Sequence, residues 1–546
     1  MLRAMSTIAE AAAKLDIPAD CLMAFGDFAA KIDPSLLLHK RTRPGKAKLV
    51  LVSAITPTRA GEGKTTTTIG LGDAFSKLGE SVCLALREPS LGPCLGVKGG
   101  GTGGGRAQLT PSERINLHFT GDFHAITSAH SAIAALVDNS VHFANGANID
   151  PRRVLWPRVV DMNDRALRNV MVGLGKRTDG MPRQSNFVIT AASELMAMLC
   201  LASDAEDLRK RLARTVVAYT PERKVVTVED VKATGVVLAL LRDAVMPNLA
   251  RTLEGTPALV HGGPFANIAH GCSSVLATRT GMHLADWVIT EAGFGSDLGA
   301  EKFIDIKCRT AGLDVAAVVM VASVRALKLH GGHDAKALDT PDCAAVARGL
   351  ENLAKHLENI HGFGLKPVVA LNRFGTDTDD EVEVVREHCE NVGVPFAVAT
   401  HFADGGEGAI ELAKAVKAAA EPTTPTFSYE LSDGVPEKIR QVARKVYGAD
   451  DVVFAGSAPA DLRTIKRLGY DNLPVCIAKT PASLSDDPKR VGRPRDFNIT
   501  VRNIQLNAGA GFLVVLTGDV MRMPGLPRVP RSDAIDLRGG EIVNLF

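Results

Sequence analysis

The chain has 546 residues, of which 46% are hydrophobic and 23% are charged, and its 63 basic and 61 acidic residues leave a formal net charge of +2. A chain of this length divides into several domains, and this composition is ordinary for a globular protein. The near balance of charge argues against a protein that binds nucleic acid or an anionic membrane surface.

The cysteines and the start of the chain bear on the compartment. The nine cysteines form no C-x-x-C pair and their number is odd, which argues for free thiols rather than a disulfide framework or a zinc site. The opening stretch MLRAMSTIAEAAAKLDIPAD lacks the long apolar core of a secretory signal. No stretch approaches the roughly 18 to 20 apolar residues that cross a bilayer. We therefore expect a cytoplasmic protein with no membrane partner.

Short apolar runs alternate with helical patterns along much of the chain. Because the runs are apolar without alternation, they predict strands that are buried on both faces of a parallel sheet. Helical patterns lie between them, for example at 192–214 and 352–361. The alternation predicts an α/β fold with a doubly wound, mostly parallel sheet. The runs are KLVLVSAIT (48–56), SVCLALRE (81–88), DWVITEAG (286–293), AAVVMVASV (316–324), KPVVALNRF (366–374) and PFAVATHF (395–402).

The distribution of these runs predicts the domain organisation. Few strand runs occur in the middle third, which predicts a mainly helical insertion, and AAAEPTTPTFSYE (418–430) has the composition of a linker. The stretch NIQLNAGAGFLVVLTG (503–518) predicts a late hairpin, and the glycine block GVKGGGTGGGRAQ (96–108) predicts a site loop. We divide the chain into the first part of a P-loop nucleotide-binding α/β domain (1–139), the insertion (140–255), the continuation of the α/β domain (256–365) and a C-terminal α/β domain (366–546).

The stretch TPTRAGEGKTTTT (56–68) is similar to a phosphate-binding loop. The Walker A pattern G-x-x-x-x-G-K-[ST] fits Gly63, Lys64 and Thr65, but Thr58 stands where the first glycine belongs. A predicted strand precedes the loop and a helix follows it, so backbone N–H groups would point at phosphate oxygens. Lys64 would then reach the β- and γ-phosphates of ATP, and the Thr65 hydroxyl would ligate Mg²⁺. The predicted nucleotide-binding residues are Thr58, Arg59, Ala60, Gly61, Glu62, Gly63, Lys64, Thr65 and Thr66.

An alternative interpretation of this loop comes from the ParA and MinD ATPases. Their loop reads K-G-G-x-G-K-[ST], and aligning it on Lys64 puts Arg59 in the position of their additional lysine. The alternative function is a dimerising switch ATPase that moves or assembles partners. A solvated surface arginine is the simpler interpretation of Arg59.

Arg87 and Glu88 end the second predicted strand, at the carboxyl edge where α/β sheets bind ligands. The arginine fork would hold a phosphate or a carboxylate through two hydrogen bonds. The glutamate beside it would temper that charge or coordinate a cation. A structural ion pair is the alternative for these two residues.

Several longer motifs carry a family resemblance. They are TPTRAGEGKTTTT, REPSLGP, INLHFTGDFHAI, HGGPFANIAHGCSS, EAGFGSDLGAEKF and MPGLP. Together they closely resemble formate–tetrahydrofolate ligase (formyltetrahydrofolate synthetase) in its monofunctional form, from about residue 20 to Phe546. That family itself lacks the first glycine of the P-loop, although it usually has proline where this chain has Arg59.

The resemblance implies a reaction in which ATP phosphorylates formate, and the amine of tetrahydrofolate takes the formyl group from formyl phosphate. The products are 10-formyltetrahydrofolate, ADP and phosphate. It implies that Arg87 holds formyl phosphate and that Glu88 helps to bind a monovalent cation, K⁺ or NH₄⁺. It also implies a homotetramer, and a tetrahydrofolate substrate with or without a polyglutamate tail.

Polar residues in two further stretches have two interpretations each. Asp122 or His124 would accept a proton from the folate amine, or either would be a structural polar group. His261, Asn267 and His270 would brace a turn, or by resemblance they would surround the site. The turn LKLHGGH (327–333) is predicted to be a surface loop.

Two phenylalanines are candidates for binding the pterin ring. Phe374 and Phe402 close two predicted strands at the carboxyl edge of the sheet. A flat pterin is best held between aromatic faces, and by resemblance these residues match the family's two stacking positions, the second of which is often tryptophan in relatives. The alternative is two core phenylalanines.

Overall fold

The computed structural model describes residues 8–40, 47–96, 100–518 and 520–545. The glycine block predicted at 96–108 therefore lies only partly within the described residues. Its described part includes Gly103–Gly104, which pairs with the strand Ala107–Thr110.

The strands, numbered in chain order within the described residues, range from two to seven residues in length. They are β1 (Leu22–Phe25), β2 (Ala29–Ile32), β3 (Lys48–Ala54), β4 (Val82–Leu86), β5 (Gly103–Gly104), β6 (Ala107–Thr110), β7 (Arg158–Val160), β8 (Val170–Val172), β9 (Arg183–Ser185), β10 (Phe187–Ile189), β11 (Val216–Tyr219), β12 (Val225–Thr227), β13 (Asn248–Thr252), β14 (Pro257–Val260), β15 (Trp287–Glu291), β16 (Ala317–Ala322), β17 (Pro367–Asn372), β18 (Phe396–Ala399), β19 (Asp451–Phe454), β20 (Val475–Ala478), β21 (Asn498–Val501), β22 (Asn503–Asn507), β23 (Phe512–Leu516), β24 (Asp536–Arg538) and β25 (Glu541–Val543).

The α-helices pack on both sides of the central sheet and in the regions that follow it. They are α1 (Ile8–Lys14), α2 (Pro34–Lys40), α3 (Lys64–Lys77), α4 (Leu91–Leu95), α5 (Ser112–Leu117), α6 (Asp122–Phe143), α7 (Glu194–Leu201), α8 (Ala205–Ala213), α9 (Thr234–Leu241), α10 (Val275–Leu284), α11 (Gly299–Lys302), α12 (Arg309–Ala311), α13 (Val324–His330), α14 (Cys343–Gly362), α15 (Asp379–Asn391), α16 (His401–Asp404), α17 (Ile410–Ala419), α18 (Val435–Val442) and α19 (Ala458–Arg467). None of the described helices is long and apolar enough to cross a membrane.

The central sheet has the order β1-β2-β13-β14-β4-β15-β3-β16-β17-β18. Each pair from β14 to β18 is parallel, whereas the pairs among β1, β2, β13 and β14 are antiparallel. The predicted apolar runs coincide with β3, β4, β15, β16, β17 and β18. The expectation of an α/β fold with a large, mostly parallel sheet is therefore confirmed.

Both faces of this sheet are buried, which explains why its strands are apolar without alternation. Along β3, Leu49 and Leu51 belong to one hydrophobic cluster, and Val50 and Val52 belong to another on the opposite face. Successive side chains of a strand point to opposite faces, so a strand that is covered by helices on both sides needs an apolar residue at every position.

Two features of the predicted organisation differ in the structure. Residues 140–255 contain the strands β7 to β13 as well as the helices α7 to α9, and β13 lies in the central sheet. Several of these strands have only three residues, which is too short for a periodic apolar signal. The boundary predicted at residue 365 falls within the central sheet, since β17 and β18 follow it. The division into domains stays a prediction.

The C-terminal region forms small sheets of its own. Strand β19 pairs with β21, and β20, β23 and β22 form a second sheet. Strands β22 and β23 are the predicted hairpin, paired antiparallel from Asn503 opposite Leu516 to Asn507 opposite Phe512. The helical pattern at 192–214 divides into α7 and α8, because Asp204 caps the second helix by accepting a hydrogen bond from the Asp207 N–H.

Candidate functional site

The loop between β3 and α3 makes a tight turn at two glycines. Gly61 and Gly63 have φ angles of +83° and +74°, a region that favours glycine. A Cβ at Gly63 would lie 2.5 Å from the side-chain nitrogen of Asn372. Helix α3 starts directly afterwards at Lys64. The N-terminus of α3 therefore follows the carboxyl end of β3 through this loop, in the strand, loop and helix order that the sequence predicts.

Glu62 explains how the loop closes without the usual first glycine. Its side chain is turned inward, and the residue is 1% exposed. The carboxylate accepts a hydrogen bond from the Thr58 N–H at 2.7 Å and another from the Ser323 hydroxyl. The backbone carbonyl of Glu62 accepts a bond from the Asn372 side chain at 3.2 Å. Glu62 is one of the predicted nucleotide-binding residues, and its hydrogen bonds stabilise the conformation of the loop.

Glu291 connects the loop to Arg87, and the sequence analysis did not assign it a role. The Thr65 hydroxyl donates to Glu291 Oε2 at 2.7 Å, and Arg87 Nη2 donates to Oε1 at 3.4 Å. Glu291 ends β15, which lies between β3 and β4 in the sheet. The sequence signal that could have identified Glu291 is its position at the end of the apolar run DWVITE. Lys64 and Arg87 follow strands that end at the same edge of the sheet.

A cavity of about 270 Å³ lies around these side chains, and we call it the arginine pocket. A second bond holds the guanidinium of Arg87, from Nη1 to the Pro264 carbonyl at 3.4 Å. A Cβ at Gly293 would lie 3.1 Å from Arg87 Nη1, so glycine leaves room for the fork. The pocket lining includes Thr65, Arg87, Glu88, Phe265, Asn267, Glu291 and Phe294.

Glu88 lies at the wall of the arginine pocket and is 5% exposed. Its N–H donates to the Gly262 carbonyl at 2.7 Å, while Oε2 has no hydrogen-bond partner among the described residues. Burial raises the pKa of this carboxyl well above its usual range, and the charge of Asp122 raises the pKa further while Lys31 opposes the shift. The ionised form of Glu88 is therefore disfavoured, because the carboxyl is buried and its acidic neighbours Asp122 and Asp161 outnumber Lys31.

The Asp122 carboxylate already contacts two side chains. Lys31 Nζ contacts its Oδ1 at 2.7 Å, and the Asn248 side chain donates to Oδ2 at 2.7 Å. Asp122 is buried, whereas His124 is exposed on the same helix α6. Neither residue lines the arginine pocket. For Asp122 the geometry supports the structural alternative.

The histidines of the other motifs are mostly internal. His261 contacts the Ser274 hydroxyl at 2.7 Å and the Ala244 carbonyl at 2.8 Å, and burial lowers its pKa to about 4. Burial also lowers the pKa of His270 to about 3. The sequence analysis named His261, Asn267 and His270 in this motif, and of these three Asn267 lines the arginine pocket. The prediction of a surface loop at 327–333 is wrong for His330, which is 5% exposed.

A larger cavity of about 570 Å³, which we call the aromatic pocket, lies on the other side of the phosphate loop. Phe374 follows β17 and its N–H donates to Asp377 Oδ2 at 2.8 Å. Phe402 lies in the short helix α16 and is 59% exposed, so it is not a core residue. Arg59 is exposed and does not line this pocket. The lining includes Thr58, Ala60, Gly61, Gly63, Thr66, Arg325, Phe374 and Phe402.

The two pockets meet at consecutive residues of the loop, because Thr65 lines the arginine pocket and Thr66 lines the aromatic pocket. A ligand that sits on the loop can therefore contact groups in both. In the described residues no group of three or more His, Cys, Asp or Glu side chains is arranged to hold a metal ion.

Comparisons with known proteins agree over the whole chain. A family model described as formate–tetrahydrofolate ligase matches residues 2–546. The chain is similar to formate–tetrahydrofolate ligases of Methylobacterium radiotolerans, with 55% identity over 547 residues, and of Methylobacterium nodulans, with 54% identity over 550 residues. A third relative, from Methylorubrum populi, is 53% identical over 546 residues. These alignments cover 99 to 100% of this chain and 98% of each relative.

Proposed function

The chain belongs to the formate–tetrahydrofolate ligase family and catalyses the ATP-dependent ligation of formate to tetrahydrofolate, and we propose that it does so through formyl phosphate formed in the arginine pocket. The alternative of a switch ATPase is wrong, because the whole chain matches the ligase family. The fold of the nucleotide-binding part is, in this proposal, similar to that of P-loop NTPases.

The contact chain from Thr65 through Glu291 to Arg87 supports this proposal most directly. A carboxylate such as formate resists attack by an amine until one of its oxygens becomes a good leaving group. Phosphoryl transfer from ATP provides that leaving group, and it needs positioning and charge neutralisation more than a protein nucleophile. Lys64 would hold the β- and γ-phosphates, and Arg87 would hold formate and then formyl phosphate through its fork.

Mg²⁺ fits the donor set at the junction of loop and pocket. The Thr65 hydroxyl and the Glu291 carboxylate lie 2.7 Å apart, and Mg²⁺ prefers such oxygen ligands together with water and phosphate oxygens. Thr65 would bind the ion as predicted, with Glu291 beside it. The ion would supply charge neutralisation on the transferring phosphoryl group.

A monovalent cation, K⁺ or NH₄⁺, fits beside Glu88. Within the part of the chain that the structure describes, the buried oxygen Oε2 has no hydrogen-bond partner, and Lys31 already contacts the neighbouring Asp122. The carboxyls of Glu88, Asp122 and Asp161 outnumber the single ammonium of Lys31, so a proton or a monovalent cation would reduce the excess negative charge. Glu88 would hold that cation.

Phe374 and Phe402 are the proposed clamp for the pterin ring of tetrahydrofolate. Both rings line the aromatic pocket, and the exposure of Phe402 leaves its face open to a ligand. Proton transfer from the folate amine is assigned to neither Asp122 nor His124, because neither lines the pockets described above.

Assembly, compartment and tail length follow from the family resemblance and remain part of the proposal. The enzyme would be a homotetramer and would accept tetrahydrofolate with or without a polyglutamate tail. The nine cysteines all lie within the described residues and form no disulfide there, and eight of them are buried. Free thiols suit the reducing cytoplasm, which is the proposed location.

The test is a coupled assay of ADP release with formate, tetrahydrofolate or both. We expect ADP release to require formate and to rise when tetrahydrofolate is added, and we expect hydroxylamine to trap a formyl group when tetrahydrofolate is omitted. ADP release that requires tetrahydrofolate but yields no trapped formyl group, even in rapid quench, would contradict a free-standing formyl phosphate step.

A further inference from the structure

Thr56, the residue between β3 and the phosphate loop, is held by three side chains from distant parts of the chain. Its N–H donates to Asn352 Oδ1 at 3.2 Å, and its carbonyl lies 2.9 Å from His330 Nε2. Its hydroxyl lies 3.0 Å from the Asn352 amide nitrogen and 3.0 Å from His356 Nε2. Every polar group of Thr56 is therefore fixed from helices α13 and α14.

The same side chains are bound to the C-terminal region through Gly492. The Gly492 N–H donates to His330 Nδ1 at 3.0 Å, and the Gly492 carbonyl accepts from Asn352 Nδ2 at 2.7 Å. A backbone N–H only donates and a carbonyl only accepts, so these two bonds fix the orientation of the Asn352 amide. They also fix His330 as the neutral tautomer with its proton on Nε2.

Gly492 can approach this closely only because it has no side chain. Its φ angle is +73°, and a Cβ would lie 2.8 Å from the His330 carbonyl oxygen. The segment 479–492 is anchored at its other end as well, where Lys479 Nζ contacts Asp297 Oδ2 at 2.6 Å. Both members of this ion pair are buried. We call residues 479–492 the C-terminal brace.

From these contacts we infer that the C-terminal brace positions the phosphate loop, and that His330 and Asn352 are positioning residues for nucleotide binding. The inference rests on the proposed function of that loop. Each of the two residues contacts Gly492 on one side and Thr56 on the other, so a displaced brace would shift Thr56. Shifts of about 1 Å in a positioned group are enough to change binding and rate by large factors.

The principal test compares His330→Leu with His333→Leu. His333 lies three residues away and contacts Asp342 and the Ala337 carbonyl, so its loss leaves the bonds to Thr56 and Gly492 intact. We expect the KM for ATP to rise about tenfold in His330→Leu, with the KM for tetrahydrofolate unchanged, and both constants to be unchanged in His333→Leu. Circular dichroism melting would establish that each variant is folded at the assay temperature.

Two further variants keep the inference falsifiable if His330→Leu does not fold. Gly492→Ala disturbs the contact from the side of the brace and should raise the KM for ATP in the same way. His330→Gln retains a donor for the Thr56 carbonyl but does not keep the acceptor at the position of Nδ1, so the KM for ATP should rise less than a full loss of both bonds would raise it. An unchanged KM for ATP in both Gly492→Ala and His330→Gln, or an equal rise in both substrates' KM values, would overturn the inference.

A Lys64→Met variant separates this inference from the proposed function. If Lys64→Met binds ATP normally, the phosphate-loop assignment itself fails. If Lys64→Met loses ATP while the His330 and Gly492 variants bind ATP like the parent, only the role of the brace fails.

Discussion

The arginine pocket is lined by charged side chains that contact one another across neighbouring strands, whereas the aromatic pocket is open and its ring at Phe402 is 59% exposed. Buried charges must be held in fixed positions, because an unpaired one is costly. An exposed ring needs no such partners. In the proposed function, the arginine pocket would therefore contribute to catalysis through preorganised charge, and the aromatic pocket would contribute to binding through contact area.

The largest expected effect lies at the loop that both pockets share. Lys64→Met keeps most of the side-chain length and removes the charge, so turnover should fall by about 10³-fold or more, the range for losing a charged group that stabilises phosphoryl transfer. Lys77→Met is the matched control. Lys77 ends the same helix, lines neither pocket, and pairs with Glu254 at a distance of 3.3 Å. Near-normal turnover of Lys64→Met in the coupled assay would contradict the phosphate-loop assignment.

A smaller loss is expected within the arginine pocket. Arg87→Lys keeps the charge but not the fork that contacts Glu291 and Pro264. We expect kcat to fall by about 10- to 100-fold, with the KM for tetrahydrofolate unchanged. Arg152→Lys is the control, because the Arg152 side chain is exposed and pairs with Asp150 at 3.2 Å. If Arg87→Lys altered only the folate KM, the contrast between the two pockets would be lost.

Glu88 gives a test that depends on pH. Its pKa is raised in the folded state, so its stabilising contribution is fully present below the unfolded pKa and is lost as the pH rises through the folded pKa. Glu88→Gln removes the ionisable group, so the variant should be more stable than the parent at high pH and equally stable in acid.

Melting curves in potassium and sodium chloride at equal ionic strength complete this test. Potassium should stabilise the parent more than sodium does, and the difference should shrink in Glu88→Gln. An identical potassium response in parent and variant would remove Glu88 from the proposed cation site.

The smallest effect is expected in the aromatic pocket. Phe402→Ala should weaken tetrahydrofolate binding by about 1 kcal/mol, because a half-exposed ring contributes less than a buried one. Phe402→Trp should keep or tighten binding, since its face is larger. Calorimetric titration with tetrahydrofolate and with ATP would measure both affinities. An equal loss of ATP affinity in Phe402→Ala would contradict the assignment of this ring to folate.

The parts of the molecule that the sequence predicts are those with a local signal. The apolar runs mark the buried strands, and the loop ending in Gly63 and Lys64 is recognisable because its geometry depends on adjacent residues. Contacts between distant residues carry no such signal. Asp122 and Lys31 are 91 residues apart, and His330 and Thr56 are 274 residues apart. The His-Gly-Gly-His composition is typical of a turn at the surface, so only the packing of α13 shows that His330 is internal.

The inward carboxylate of Glu62 has a consequence for how such loops are recognised in other chains. A search that requires the first glycine would discard this loop, although its backbone is already fixed by a bond to the Thr58 N–H. The informative residue is instead the acid Glu62, which stands directly before Gly63 and Lys64 and four positions after Thr58, where the first glycine is missing. A pattern that accepts either a first glycine or this acid would retrieve loops of both designs, and mutating the acid in each retrieved chain would show which ones depend on it.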